Sequence, residues 1–274
     1  MIIPYYKAHG AGNDFLFTFA RDIGEVPSAA LAKAICHRNL GIGGDGWYLI
    51  DTSGKNADAR IRLWNSDGSY AELSGNGTRC AAALLVKLGF APPDAVRIHT
   101  GSGIKKLKYI RKDEHGYWFE MDMGVPRIEK REFFLIGHDV TIVDVGNPQC
   151  AVPLGTLDFD WQLLGAQIEA HPFFPKRTNV SFFTRIDDHT IDARFYERGA
   201  GPTLSSGTGA TGAAVAAILR GLVSSPVTIR GEYLPLQLRY PSRSGSKLPI
   251  KGQGSVYLTG PAKIVSQGEY YWSY

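Results

Sequence analysis

Residues 74–79 read SGNGTR and residues 206–211 read SGTGAT, two glycine-framed segments that each open on serine and run into alanines. A chain that contains such a unit twice has to fold it twice, so internal similarity takes precedence over any single motif. Sliding the sequence by 132 residues (206 − 74) lays Ser74, Gly75, Gly77, Ala81, Ala82 and Gly89 on Ser206, Gly207, Gly209, Ala213, Ala214 and Gly221 without a gap. Arg62-Leu63-Trp64-Asn65 falls on Arg194-Phe195-Tyr196-Glu197 in the same register, each set closing a strand-like run. A shift of 134 places Gly12-Asn13 on Gly146-Asn147. Chance overlap of two alanine-rich helices would not carry the preceding strand along with it. Two similar domains are therefore expected, and 274 residues suffice for each to bury a core.

Alternating or β-branched runs recur along the chain: DFLFTF (14–19), WYLID (47–51), ARIRLW (59–64), AVRIHT (95–100), YWFEMDM (117–123), DVTIVDV (139–145), VSFFTRI (180–186), IDARFYE (191–197) and SVYLTG (255–260). Helical patterns are fewer, over 28–38, 78–88, 160–170 and 210–220. Strands so outnumber helices that a doubly wound sheet of regular βαβ units fits poorly, and a mixed α+β class is expected.

Lysine and arginine total 30 against 26 acidic residues, with no block of five or six like charges, which argues for a solvated surface and against nucleic acid as a partner. The opening MIIPYYKAHG lacks a charged segment followed by an apolar one, and the apolar stretch 213–219 falls far short of a membrane span, so a cytoplasmic protein with no membrane partner is expected. Three cysteines, Cys36, Cys80 and Cys150, suit free thiols in a reducing compartment. The seven histidines are scattered without HExxH or CxxC, so no metal is expected.

In each copy of the repeat, glycines permit a tight turn and close ligand approach, and a helix follows at once. The free amides and dipole of such a helix start favour a carboxylate or phosphate. Two such starts facing one another would hold a small anion between two side chains, an arrangement suited to removing a proton from one face of a carbon and delivering one to the other. Other glycine motifs fail on context. GIGGDG (41–46) matches GxGxxG but precedes a strand-like run rather than a helix. Neither GxxxxGK[ST] nor GxSxG occurs.

The segments HGAGNDF (9–15), GIGGDG (41–46), RLWNSDGS (62–69), SGNGTRC (74–80), VGNPQC (145–150), RTNV (177–180), YERGAGPT (196–203) and SSGTGAT (205–211) stand in an order and spacing that resemble the diaminopimelate epimerase family of amino-acid racemases working without pyridoxal phosphate. The resemblance implies two pseudo-symmetric α/β (α+β) domains, each a mixed sheet wrapped around a central helix. It places the active site in the cleft between them and returns the last strand to the first domain. Expected bounds are 1–118 with 262–274, and 119–261. It implies no cofactor, a small diaminopimelate-like amino acid as substrate, and a homodimer. Carried over residue by residue, Gly75, Asn76, Gly207 and Thr208 would hold the reacting α-carboxylate. Asn65, Asn147, Asn179 and Arg198 would grip the distal end, with Arg198 suited to a bidentate carboxylate contact. Asn13 and Glu197 would lie near the reacting centre. Taken singly, each asparagine is as well explained as a turn or cap residue.

The departures concern the chemistry. The family's two cysteines, one thiolate base and one thiol acid, are here Ser74 and Ser206, and its GNPH reads GNPQ with Gln149. A thiol begins near pKa 8.5 and falls further at a helix start, whereas serine needs an adjacent base. Three readings of Ser74 and Ser206 stay open: an epimerase of diaminopimelate in lysine and cell-wall precursor synthesis, a variant that binds substrate with impaired turnover, or a dehydratase of a hydroxy amino acid.

Overall fold

The computed structural model describes residues 1–241 and 254–273. The chain divides into two compact units, Met1–Met121 with Pro261–Tyr274, and Asp122–Gly260.

Unit 1 opens with β1 (Ile2–Gly10), β2 (Asn13–Phe19), α1 (Ser28–Cys36), β3 (Gly46–Asp51), β4 (Ala59–Asn65) and β5 (Tyr70–Ala71). It continues with α2 (Gly75–Lys87), β6 (Val96–Thr100), β7 (Gly103–Asp113) and β8 (Gly116–Gly124). Unit 2 contains β9 (Arg127–Leu135), β10 (His138–Asp144), β11 (Pro148–Pro153), α3 (Trp161–Glu169), β12 (Asn179–Asp187) and β13 (Thr190–Glu197). It is completed by β14 (Gly201–Thr203), α4 (Gly207–Leu219), β15 (Val227–Arg230) and β16 (Leu236–Arg239), and β17 (Val256–Tyr271) follows.

The pairings repeat from one unit to the other. In unit 1, β1 and β2 are antiparallel, β2 and β3 parallel, β3 and β4 antiparallel, and β4 pairs antiparallel with β5 and parallel with β6. In unit 2 the same sequence of orientations runs through β10, β11, β12, β13, β14 and β15. The late part of β17 pairs with β1, Ile3 opposite Tyr270, while its start pairs with β16, Leu238 opposite Leu258.

Each unit wraps its strands around a central helix: α4 is apolar or small on every side, the pattern of a core element rather than a surface one, and α2 shares that pattern apart from Asn76, Arg79 and Lys87. Every residue of α4 is buried, and so is α2 from Gly75 to Leu85. Alanine and glycine let the strands come close: a methyl added at Gly209 would lie 2.7 Å from Phe195, and one at Gly212 2.9 Å from Gln149. The outer layer of each unit is a shorter amphipathic helix. Leu31, Ala32 and Ile35 of α1 pack with Leu16, Trp47 and Leu49, and Ile168 of α3 packs with Val180 and Phe182.

Both central helices start three residues before the expected ones, at Gly75 and Gly207 instead of Thr78 and Ala210. The glycine-rich segments read as loops are their first turns. A serine cap supplies the acceptor that makes a glycine-rich first turn stable. No helix among the described residues is long and apolar enough to cross a membrane.

Candidate active site

The half-site in unit 1 is built on the start of α2. Ser74 is extended (φ −124°, ψ 125°) and its Oγ accepts a hydrogen bond from Gly77 N at 3.2 Å. Thr78 Oγ1 donates back to Ser74 O at 2.7 Å. Gly77 has to be glycine, because an added Cβ would lie 2.3 Å from the hydroxyl oxygen of buried Tyr48. That ring is stacked on Phe17, and burial drives its phenol far above the usual range, so it stays protonated.

Two expected residues meet beside this turn. Asn76 Nδ2 donates to Asn13 Oδ1 at 3.3 Å, and Asn13 Nδ2 donates to Asp45 Oδ2 at 2.5 Å. The other end of the Asn76 amide accepts from Arg79 Nη2. Asp45 and Asp14 share Arg38 at 2.8 Å each, and Lys7 also pairs with Asp14 at 3.0 Å. Burial and the neighbouring Asp14 charge push the Asp45 carboxyl up. Burial also acts upward on Asp14, but bonds from Arg38 and Lys7 outweigh it and hold that carboxyl below its usual range. Asn65 lies apart in hydrogen bonding from this chain: its Nδ2 donates to Ser69 Oγ at 3.0 Å within its own turn.

The half-site in unit 2 repeats the cap. Ser206 has φ −134° and ψ 122°, and its Oγ accepts from Gly209 N at 3.0 Å. Asn147 Nδ2 donates to Thr208 Oγ1 at 3.2 Å, joining two expected residues, and Gln149 Nε2 donates to Asn147 Oδ1 at 2.7 Å. Gln149 is wholly buried, and its Oε1 has no hydrogen-bond partner.

Asn179 Nδ2 donates to Pro148 O at 2.9 Å, and its Oδ1 accepts from Arg198 N at 3.0 Å. The asparagine thus holds the backbone at the end of β13, where half-buried Glu197 and exposed Arg198 follow one another. Arg198 Nη1 donates to Lys176 O at 3.3 Å. Beneath this turn lies Glu169, 6% exposed, which takes Arg177 Nη1 on both oxygens (3.2 and 3.3 Å) and Gly199 N on Oε1 at 3.1 Å.

Reasoning from sequence missed Tyr48, Asp45, Arg79 and Glu169. Arg79 carried a visible signal, a charge inside the apolar run that becomes α2, whereas Glu169 ends an ordinary amphipathic helix and carried none. The three cysteines are free and buried. Burial pushes the Cys80 and Cys150 thiols up to about 12, and burial with the Asp14 and Asp45 charges does the same to Cys36. Each half-site therefore presents a capped serine, the free amides of a helix start and an asparagine side chain, which together can bind a carboxylate and stabilise negative charge growing on it.

The profile of the family described as "Diaminopimelate epimerase" matches residues 5–129 and 141–265. The chain is 34% identical over 285 residues to a diaminopimelate epimerase of Pelotomaculum thermopropionicum, covering 97% of this chain and 98% of that protein. It is 37% identical to one of Desulfitobacterium hafniense, with 96% of each covered. Its fold is similar to that of a Bacillus anthracis phenazine biosynthesis protein of the PhzF family (TM-score 0.74, 14% identity, 98% of this chain and 99% of that one). With two matched halves and relatives this similar along nearly their whole length, the chain belongs to the diaminopimelate epimerase family.

Proposed function

We propose that the protein epimerises diaminopimelate at its α-carbon, between the LL and meso forms, by two-base proton transfer. Removing an α-proton moves negative charge onto the carboxylate oxygens, so donors already aimed at a carboxylate stabilise the transition state as well as the bound substrate. The two helix starts, at Gly75 with Asn76 and at Gly207 with Thr208, take that role. Ser74 and Ser206 stand as the acid/base pair on opposite faces of the carbon, and Asn13 and Glu197 assist at the reacting centre. Asn65, Asn147, Asn179 and Arg198 hold the distal end. The observation that carries this reading is the duplicated cap: two serines, 132 positions apart (206 − 74), present the same backbone geometry and the same hydroxyl-to-amide bond.

The acid/base groups come from the protein itself. The eight segments that match the family contain no lysine to carry an aldehyde cofactor as a Schiff base, so the reaction is proposed to run without pyridoxal phosphate. A cytoplasmic homodimer supplying lysine and cell-wall precursors completes the reading. Serine makes it slow. General acid/base groups contribute about 10²–10⁴ each, and an alcohol accepting a bond from a helix amide is a weaker base than a thiolate in the same place.

That bond supports a second reading, binding without turnover, because both hydroxyl oxygens are engaged as caps. Proton NMR of LL-diaminopimelate with the protein in deuterated water separates the two. Loss of the α-proton with appearance of the meso form supports epimerisation, and saturable binding without loss selects the second reading. An Arg198→Ala variant with unchanged affinity would refute the distal-carboxylate role.

A further inference from the structure

Arg79 is wholly buried in the second turn of α2. Its side chain runs back towards the helix start, as helical side chains do. Nη2 donates to Asn76 Oδ1, Nε to Pro261 O at 3.5 Å, and Nη1 has no hydrogen-bond partner. Among the described residues no carboxylate pairs with it. Asp45, the nearest acid along the hydrogen-bond chain, is already matched by Arg38 at 2.8 Å. Burial pulls the guanidinium down to about 10, which leaves it charged at neutral pH. The position related by the repeat, Thr211, instead carries a hydroxyl bonded to Gly207 O at 2.8 Å. One copy thus holds a buried cation where the other holds a neutral group.

A buried charge without a counter-ion is costly, and an arriving anion offsets that cost. The amide chain leading from it has one direction. A guanidinium only donates and a carboxylate only accepts, so Arg79 at one end and Asp45 at the other fix which atom of Asn76 and of Asn13 is oxygen and which nitrogen. We propose that Arg79 is a positioning residue of the anion half-site at the start of α2, its guanidinium supplying the positive charge whose counter-ion is the substrate carboxylate and, through Asn76, setting the orientation of Asn13. The inference rests on the epimerase reading and deepens it. It makes the two half-sites unequal, with the stronger hold on the carboxylate, and the better stabilised alkoxide, on the Ser74 side.

The test compares native protein with Arg79→Met and Arg79→Lys. Calorimetric titration with LL-diaminopimelate is expected to show a loss of tenfold or more in affinity for Arg79→Met. Arg79→Lys is expected to bind near pH 7 and to weaken towards about pH 9 as the buried amine deprotonates, whereas the native affinity stays flat. Affinity within twofold of native for Arg79→Met, or a pH-independent Arg79→Lys, would overturn the proposal. If neither variant folds, the native Arg79, Asn76 and Asn13 side-chain nitrogen resonances decide it: they shift on ligand addition, and unmoved signals overturn it. A native protein that ignores diaminopimelate refutes the substrate reading alone, and the same resonances titrated with sodium sulfate then decide the role of Arg79.

Discussion

Replacing Gly77 by alanine tests the tightest contact at the α2 start. The new methyl would sit 2.3, 2.5 and 2.6 Å from Oη, Cε2 and Cζ of Tyr48, against roughly 3.5–4.0 Å for an ordinary contact. The ring cannot yield, because it is wholly buried, stacked on Phe17 at 5.0 Å and met edge-on by Phe15 at 5.4 Å. The helix start must therefore retreat by about 1 Å, which breaks the Ser74 cap. Overpacking of about 1–3 kcal/mol and a lost cap of about 0.5–2 are offset by about 1 kcal/mol of helix preference, for a net loss of about 0.5–4 kcal/mol. Misplacing a reacting group by that distance costs about 10²-fold in rate. Urea unfolding followed by tryptophan fluorescence reads the first effect, and α-proton exchange reads the second. The equivalent Gly209→Ala change meets Phe195 at 2.7 Å and should be milder. A Gly77→Ala protein within about 0.5 kcal/mol of native, the range of an innocuous surface change, would refute the packing argument.

Three further outcomes are expected. The Asp14 carboxyl is lowered in the folded state, so its stabilisation is complete above its unfolded pKa and is lost as pH falls through the folded value; Asp14→Asn should flatten the acid limb of the stability curve and cost about 1–3 kcal/mol near neutrality. All three thiols should resist a disulfide exchange reagent at pH about 8 in the native protein and react in denaturant, since burial holds each up to about 12. Glu169→Gln should cost about 1–3 kcal/mol in urea unfolding and weaken binding of the distal carboxylate, because Gly199 N and Arg177 lose a charged acceptor under the Arg198 turn.

The fold was legible where periodicity and repetition agreed. The serine-glycine segments gave the register of the duplication, and β4 with β13 and α2 with α4 follow it. Three features hid the rest. Strand β17 runs on past the expected run 255–260, through Pro261 to Tyr271, because it pairs with β16 at one end and β1 at the other. The first turns of α2 and α4 read as loops because glycine carries no helical preference until a cap is in place. Within the site, the expected residues Asn13 and Asn76, and likewise Asn147 and Thr208, are joined by hydrogen bonds. The charges that brace the site are remote in sequence: Asp45 bonds to Asn13 across 32 positions, and Glu169 to Gly199, beside Arg198, across 30. No local pattern encodes such pairings.

The most direct test of the central claim, that Ser74 and Ser206 occupy the two acid/base positions, is the rate of α-proton exchange from LL-diaminopimelate in deuterated water for native protein and for the Ser74→Cys/Ser206→Cys variant. Exchange by the native protein, accelerated by about 10² or more in the variant because thiols ionise where alcohols do not, is the predicted result. A variant that folds and binds diaminopimelate as the native protein does, yet exchanges its α-proton no faster, would contradict the assignment.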